Sequence, residues 1–158
     1  MTSITLTFFE EKHRETLYGF YLPEDQEKFT AMPNDALKKC EEDPGRKPVV
    51  ITASDQTVGF FVLHTGEHIK DFTPNPNAMV IRALSINHSE QGKGYAKEAM
   101  MQLPTFVSSN YRRINELILA VNFKNTPAKQ LYEKAGFVDR GQIKHGPVGP
   151  QYVLHYDL

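Results

Sequence analysis

Alternating and helically spaced hydrophobic residues along the chain predict a mixed α/β protein built on one sheet. Strands are expected where apolar residues alternate or form short β-rich runs, and helices where they recur every three or four positions. The predicted strands cover residues 3–9, 48–53, 57–63, 78–86, 114–121, 137–140 and 152–156. The predicted helices cover residues 10–21, 34–43, 96–107 and 125–136. The order is therefore β-α-α-β-β-β-α-β-α-β-β, with helices on the faces of the sheet.

Length and composition restrict the class of protein. The 158 residues, 40% hydrophobic and 23% charged, suit a single domain over residues 1–158 with a buried core. No apolar run approaches the ~18 residues of a membrane span, and the N-terminus alternates rather than forming a secretory signal. The single cysteine, Cys40, excludes an internal disulfide and a cysteine-rich zinc site. We therefore expect a cytoplasmic protein with no membrane partner.

Charge is distributed unevenly along the chain. The net charge of −1 argues against a general nucleic-acid binder. Residues 1–90 carry 9 Lys or Arg and 14 Asp or Glu, a net of −5, whereas residues 91–145 carry 9 and 4, a net of +5. This split suggests that the second part holds an anion and the first part a cation.

The turn at residues 91–96, which reads Q-G-K-G-Y-A, lies between a predicted strand and a predicted helix. The first turn of a helix has unpaired backbone N–H groups, and the helix dipole favours negative charge there. Gly92 and Gly94 allow a ligand to approach the backbone, while Lys93 and Lys97 add positive charge. The turn is therefore a candidate site for a diphosphate.

Of three phosphate-binding patterns, one matches this turn. A P-loop needs Lys directly after its last glycine, but Tyr95 follows Gly94. The dinucleotide pattern G-x-G-x-x-G fails because Lys97 stands at its last position. The pattern Q-x-x-G-x-[GA] matches as Gln91, Gly94 and Ala96. An ordinary strand-to-helix turn is the alternative for so short a match.

A second motif follows downstream, where residues 122–137 read N-F-K-N-T-P-A-K-Q-L-Y-E-K-A-G-F. With the first motif, this segment resembles the GNAT superfamily of acyl-CoA-dependent N-acetyltransferases, which has the pattern N-x-x-A-x-x-L-Y-x-x-x-G-F. The matching residues are Asn125, Ala128, Leu131, Tyr132, Gly136 and Phe137. The resemblance implies a GNAT fold, a central mixed and mostly antiparallel sheet of about seven strands. It also implies a splay between strands 4 and 5 and about four flanking helices.

The resemblance further implies that acetyl-CoA is the co-substrate and that no metal is used. The pantetheine arm would lie between the fourth and fifth strands, and the N–H of Ile86 would polarise the acyl carbonyl. The turn would hold the diphosphate, and Asn125 would contact the cofactor or serve only as an N-cap. The implied cofactor contacts are Leu84, Ser85, Ile86, Gln91, Gly92, Lys93, Gly94, Tyr95, Ala96, Lys97, Asn125 and Tyr132.

Tyr132 is the catalytic residue that the resemblance implies, as the proton donor to the leaving CoA sulfur. The reference pKa of Tyr is ~10 and that of a thiol ~8.5, so complete transfer to a free thiolate is uphill by roughly 2 kcal/mol. Donation of a hydrogen bond while charge builds on sulfur is therefore the expected effect. A tyrosine of the core is the alternative.

The base that would remove the proton of the attacking amine is not identified by the sequence. Some members of the family use a glutamate on the fourth or fifth strand, but residues 78–87 contain no carboxylate and Glu116 lies near the start of the fifth. His64, Glu67 and His88 are the candidate substitutes, although a loop or surface residue is the favoured interpretation of each. A water relay without an assigned base is also open.

Metal binding is not predicted, because the spacing of His64 and His68 lacks a third ligand and Gly66 argues against a helix there. The predicted function is transfer of an acetyl group from acetyl-CoA to a primary amine. A CoA-binding regulatory module without catalysis, a longer acyl donor and a homodimer are left open. Residues 10–45 and 64–77, where the family recognises its acceptor, are acid-rich and suit a cationic small molecule such as a polyamine or aminoglycoside, or a peptide amine.

Overall fold

The alternating and apolar runs form seven strands in a computed structural model that describes residues 3–158. The strands are β1 Ile4–Phe8, β2 Arg46–Ala53, β3 Gln56–His64, β4 Ala78–Ile86, β5 Glu116–Asn122, β6 Val138–Gly146 and β7 Gly149–Asp157. The helices are α1 Arg14–Tyr18, α2 Glu24–Glu27, α3 Pro33–Glu42, α4 Tyr95–Asn110 and α5 Thr126–Lys134. Short 3-10 turns occupy Glu11–His13, Glu67–Ile69 and His88–Glu90.

The strands form one sheet in the order β1-β2-β3-β4-β5-β7-β6. All neighbours are antiparallel except β4 and β5, which are parallel and joined only from Ala78–Glu116 to Val80–Ile118. Beyond Val80, β4 runs on to Ile86 without pairing to β5, so a gap opens inside the sheet. The predicted mixed sheet with a splay between its fourth and fifth strands is therefore confirmed.

A bulge in β4 lies at the start of the gap. Phe60 faces Ser85 and Val62 faces Arg82, so β4 carries one more residue than β3 over this stretch. Ala83 takes up the extra residue with a φ of 58°, a conformation that non-glycine residues rarely adopt. Because a bulge bends its strand and increases its twist, it helps to turn β4 away from β5.

Two layers of helices cover the sheet because its central strands are apolar on both faces. Ile51 and Phe61 pack toward α4, whose Met100, Leu103 and Val107 are fully buried. Val50 and Phe60, one position along, pack on the opposite face against α1 and α3. A strand that is buried on both sides reads as a continuous apolar run, as β2 and β3 do.

Several element bounds differ from the prediction. The helix expected at residues 10–21 stops at Tyr18, where Gly19 ends it, and Pro23 caps the additional helix α2 instead of merely ending a helix. The last two strands are longer than predicted, since β6 extends to Gly146 and β7 starts at Gly149. Most residues of β6 are polar or glycine, so the hydrophobic pattern of the sequence does not indicate this extension. No helix in the described part of the chain has the length and apolar character to span a bilayer.

Candidate active site

The gap between β4 and β5 opens into a cleft of about 1100 Å³. It extends from the N-terminus of α4, past the inner edge of β4, to the turn between β6 and β7. Among the predicted site residues, the cleft is lined by Leu84, Ser85, Ile86, Gln91, Gly92, Gly94, Tyr95, Ala96, Lys97, Asn125 and Tyr132. The remaining one, Lys93, is exposed and forms an ion pair with Glu90 at 3.0 Å. The fold thus brings together nearly the whole predicted set.

The turn that leads into α4 leaves its backbone open to the cleft. Gly92 and Gly94 have φ values of 78° and 81°, in the region that favours glycine. A Cβ at either position would meet no atom within 4 Å, so the outer side of the turn is open space. No side chain caps Gly94, the N-cap residue, and the first N–H groups of α4 therefore have room for an anion.

The inner edge of β4 presents backbone groups to the gap at alternate residues. Asn87 donates its N–H to Val58 at 3.0 Å, and Ser85 lies opposite Phe60, so these two positions pair with β3. Hydrogen-bonded pairs alternate with non-bonded ones in an antiparallel ladder, so Ile86 between them directs its N–H toward the gap. The prediction that Ser85 also offers its backbone to a ligand does not fit this register. The Ser85 hydroxyl is buried and has no hydrogen-bond partner among residues 3–158.

Gln91 fixes the turn against β4. Its Nε2 donates to the Ile86 carbonyl at 2.9 Å and to Oε1 of Gln26 at 2.8 Å. Gln26 returns a bond from its own Nε2 to Oε1 of Gln91 at 3.1 Å. Gln91 therefore has a local structural role, because its side chain holds the turn before α4 close to Ile86.

Helix α5 supplies two side chains on the other side of the cleft. Asn125 accepts a bond from the Ala128 N–H at 3.4 Å as an N-cap, and its Nδ2 has no partner in the described chain. Tyr132 packs edge-on against Phe137, with ring centroids 6.2 Å apart. Burial raises the pKa of Tyr132 to about 12, and within residues 3–158 nothing accepts its hydroxyl proton. It therefore stays protonated at neutral pH as an available donor.

The predicted substitutes for a catalytic base do not line the cleft. Glu67 is exposed and pairs with Lys70, while His88 is exposed against the ring of Tyr21. Glu116 lies at the far end of β5, where His155 contacts it at 3.0 Å. Of the described residues, only two carboxylates line the cleft, those of Asp25 and Glu90.

The third substitute, His64, belongs to a buried network that sequence reasoning missed. Arg82 Nε donates to His64 Nδ1 at 2.8 Å, so Nδ1 is the acceptor and Nε2 carries the proton. His64 Nε2 then donates to Asp43 Oδ2 at 3.0 Å. Burial, with the charges of Arg46 and Arg82, lowers the pKa of His64 to about 4. His64 is therefore neutral at pH 7 and its ring nitrogens are engaged.

In the folded chain, Asp43 joins His64 and His68 as a third potential metal ligand, which the sequence pattern had not indicated. The ligand atoms of the three side chains lie within 4.8 Å of one another. A metal ion needs a lone pair on His64 Nε2, but the bond from Arg82 places the proton on that nitrogen. Asp43 is already bonded to both histidines, the Gly45 N–H and Arg46, so the arrangement suits a structural brace rather than a cation site.

The charge along the cleft differs from the expectation drawn from segment composition. Residues 10–45 and 64–77 are acid-rich. Among the described residues of these two segments, however, Asp25 is the single carboxylate that lines the cleft. Seven Lys or Arg side chains line it, among them Arg46, Arg82 and Lys144. No local sequence pattern marks these three, because they come from β2, β4 and β6 and meet only in the folded chain.

Comparison with known proteins gives concordant matches. The model of the acetyltransferase (GNAT) family matches residues 8–137. The uncharacterized N-acetyltransferase YbbJ of Bacillus subtilis is 42% identical over 156 residues, 98% of each chain. The solved aminoglycoside acetyltransferase AAC(6′)-Ib, with coenzyme A and kanamycin, is 21% identical with a TM-score of 0.79, covering 98% of this chain and 95% of its own. Spermidine N-acetyltransferase from Vibrio cholerae, with CoA and spermine, is 17% identical with a TM-score of 0.71, covering 98% and 95%. The predicted fold class is thereby confirmed.

Proposed function

The chain belongs to the GNAT acetyltransferase family, and from that premise we propose that it transfers an acetyl group from acetyl-CoA to a primary amine. Family membership confirms the predicted resemblance and the predicted enzyme class. The acyl donor, the residues that act and the acceptor are our proposals. One observation supports these proposals. Tyr132 lies on one side of the gap, and the open turn before α4 and the N–H of Ile86 face the same gap.

In this proposal the cofactor fills the gap in the sheet. Its diphosphate accepts bonds from the N–H groups at the start of α4, with Lys97 alongside. Its pantetheine arm lies along β4, where Ile86 and Leu84 direct backbone groups away from β3. Solved relatives of the same fold hold CoA, which supports this placement.

The chemistry follows from two hydrogen-bond donors on opposite sides of the thioester. The amine attacks the acyl carbon, and the Ile86 N–H stabilises the negative charge that forms on the acyl oxygen. When the tetrahedral intermediate collapses, the C–S bond breaks and Tyr132 donates to the departing sulfur. The nitrogen gives up one proton to water as the amide forms, and CoA leaves as a thiolate that takes a proton back from water.

The attacking amine loses its proton to water in this scheme, since no carboxylate of the described residues lies in the gap beside Ile86 and Tyr132. An amine of pKa ~10 is only about 0.1% neutral at pH 7, a cost of about 4 kcal/mol. The rate should therefore rise with pH in step with the neutral fraction of the acceptor, without a separate ionisation from the protein.

A CoA-binding module that no longer catalyses is the competing function, and the shortage of carboxylates in the cleft favours it. The experiment that separates the two measures binding and chemistry on the same sample. Calorimetry with acetyl-CoA tests the cofactor site, and release of free thiol across a panel of primary amines tests transfer. Binding with amine-dependent thiol release supports the enzyme, binding without release supports the module, and absence of binding contradicts both.

A further inference from the structure

Arg82 reaches the cleft from β4 as a partly buried and firmly oriented cation. It lies two residues beyond Val80, the last residue that pairs with β5, so it stands where the gap begins. Its Nε donates to His64 at 2.8 Å, and its guanidinium lies over the ring of Phe72, 5.1 Å from the centroid. The planar fork is thus held at one nitrogen and along one face.

The outer nitrogens of this guanidinium are unused. Neither Nη atom has a hydrogen-bond partner among residues 3–158, and the residue that Nε contacts, His64, is neutral. Arg46 is the nearby cation, and its Nε contacts Asp43 at 3.4 Å, so that carboxylate is already shared. Burial and the charge of Arg46 lower the pKa of Arg82 to about 10, which still leaves it charged at pH 7. Asp43, which His64 links to Arg82, offsets part of this charge but is shared with Arg46, so an incoming anion would stabilise the guanidinium further.

A second cation approaches the same aromatic ring from the far side of the gap. Lys144 on β6 places its Nζ 4.7 Å from the centroid of Phe72. Its ion pair with Asp71 is 3.9 Å long, and the Asp71 side chain is 82% exposed, so this partner is loose and solvated. Arg82 and Lys144 therefore both have hydrogen-bonding capacity left for a ligand in the cleft.

We propose that the acceptor of this acetyltransferase is an amine that carries a carboxylate or phosphate, and that Arg82, with Lys144, binds this anion. The inference rests on the proposed function, and it replaces the cationic acceptor that segment composition suggested. Guanidinium forks bind both anions through paired N–H donors. Arg82 and Ile86 are four residues apart on β4, about 13 Å along an extended strand, which sets the scale of the distance between the anion and the amine of the acceptor.

Matched pairs of acceptors test the charge requirement. Thiol release from acetyl-CoA is measured with β-alanine, 4-aminobutyrate and 6-aminohexanoate, each beside its neutral carboxamide, and with O-phosphoethanolamine beside ethanolamine. The diamine 1,5-diaminopentane represents a cationic acceptor. Rates are compared at equal concentrations of neutral amine. We expect kcat/KM to be about 10- to 100-fold higher for the anionic member of at least one pair, and the pair that responds distinguishes carboxylate from phosphate.

Two separate variants, Arg82→Gln and Lys144→Gln, test whether these residues cause the preference for an anionic acceptor. The readout is the ratio of kcat/KM between an anionic acceptor and its neutral partner, because damage to the fold lowers both rates and leaves the ratio unchanged. We expect this ratio to fall toward one in Arg82→Gln and to stay at the wild-type value in Lys134→Gln, which removes a cation outside the cleft. The Kd of acetyl-CoA should remain within about 2-fold.

The possible failures are distinguishable. Thiol release that favours the diamine, or that treats both members of every pair alike, overturns the anionic acceptor while the acetyltransferase stands. A loss of acetyl-CoA affinity in Arg82→Gln with an unchanged ratio assigns the cation to the cofactor and overturns the inference. Absence of release with every amine overturns the proposed function and this inference with it.

Discussion

Replacing Tyr132 by Phe removes one hydroxyl from the cleft and leaves the ring that packs against Phe137. Burial raises the pKa of Tyr132 to about 12. Against a thiol of pKa ~8.5, complete proton transfer to a free thiolate would be uphill by about 5 kcal/mol. Tyr132 should therefore act as a hydrogen-bond donor to sulfur, and loss of one such donor in a water-poor site costs about 10²- to 10³-fold in kcat.

The assay follows CoA release with a thiol-reactive chromophore and acetyl-CoA binding by calorimetry. Tyr132→Phe should lower kcat by that factor and change the Kd of acetyl-CoA by less than about 2-fold. Tyr156→Phe, at a tyrosine that does not line the cleft, is the matched control and should keep the wild-type kcat. Because Tyr132 keeps its proton up to about pH 11, ionisation of Tyr132 should cause no fall in the wild-type rate between pH 7 and 9. An unchanged kcat in Tyr132→Phe, or a decline near pH 8–9 that this variant abolishes, would refute the reasoning.

Three further substitutions test the surroundings of the cleft. Gly94→Ala puts a Cβ on a residue with φ of 81° and should cost about 1–2 kcal/mol of stability and weaken acetyl-CoA binding; unchanged melting and calorimetry would contradict this. Because the pKa of buried His64 is lowered to about 4, the stability linked to it is complete above pH 6.5 and is lost as pH falls toward 4, by about 3 kcal/mol. In His64→Gln, urea titrations should lack this dependence, and its persistence would assign it elsewhere. Glu116→Gln weakens the bonds from His155 and Arg140 and should lower stability by about 1–3 kcal/mol with kcat unchanged, whereas a large loss of kcat would contradict this structural role.

Local patterns predicted the parts of the molecule whose physics is local. The turn before α4 follows from two glycines at a helix start, and the double-sided apolar runs of β2 and β3 follow from burial on both faces. By contrast, β6 is an edge strand with polar and glycine residues, so its ladder to β7 leaves almost no hydrophobic alternation in the sequence.

The network around Arg82 could not be predicted in the same way. Asp43, His64 and Arg82 are separated by 21 and 18 residues, and they meet because β3 pairs with β4 while the chain after α3 turns toward the end of β3. The number of acidic residues in segment 10–45 does not say which way their side chains point, and most of them do not line the cleft. The sign of the charge facing an acceptor is a property of the assembled surface, which no segment carries by itself.

The three-pair junction between Ala78–Val80 and β5 makes the sheet mechanically discontinuous. Four strands on one side and three on the other form two well-bonded blocks, whose edges stay unbonded over most of their length. Amide hydrogens along the open edge of β5 should exchange with solvent faster than those facing β7, even though both lie in one strand. An extended molecule bound between the two blocks would supply the hydrogen bonds that β4 and β5 do not make to each other. Its binding should therefore slow amide exchange in both blocks and make them unfold in one cooperative event.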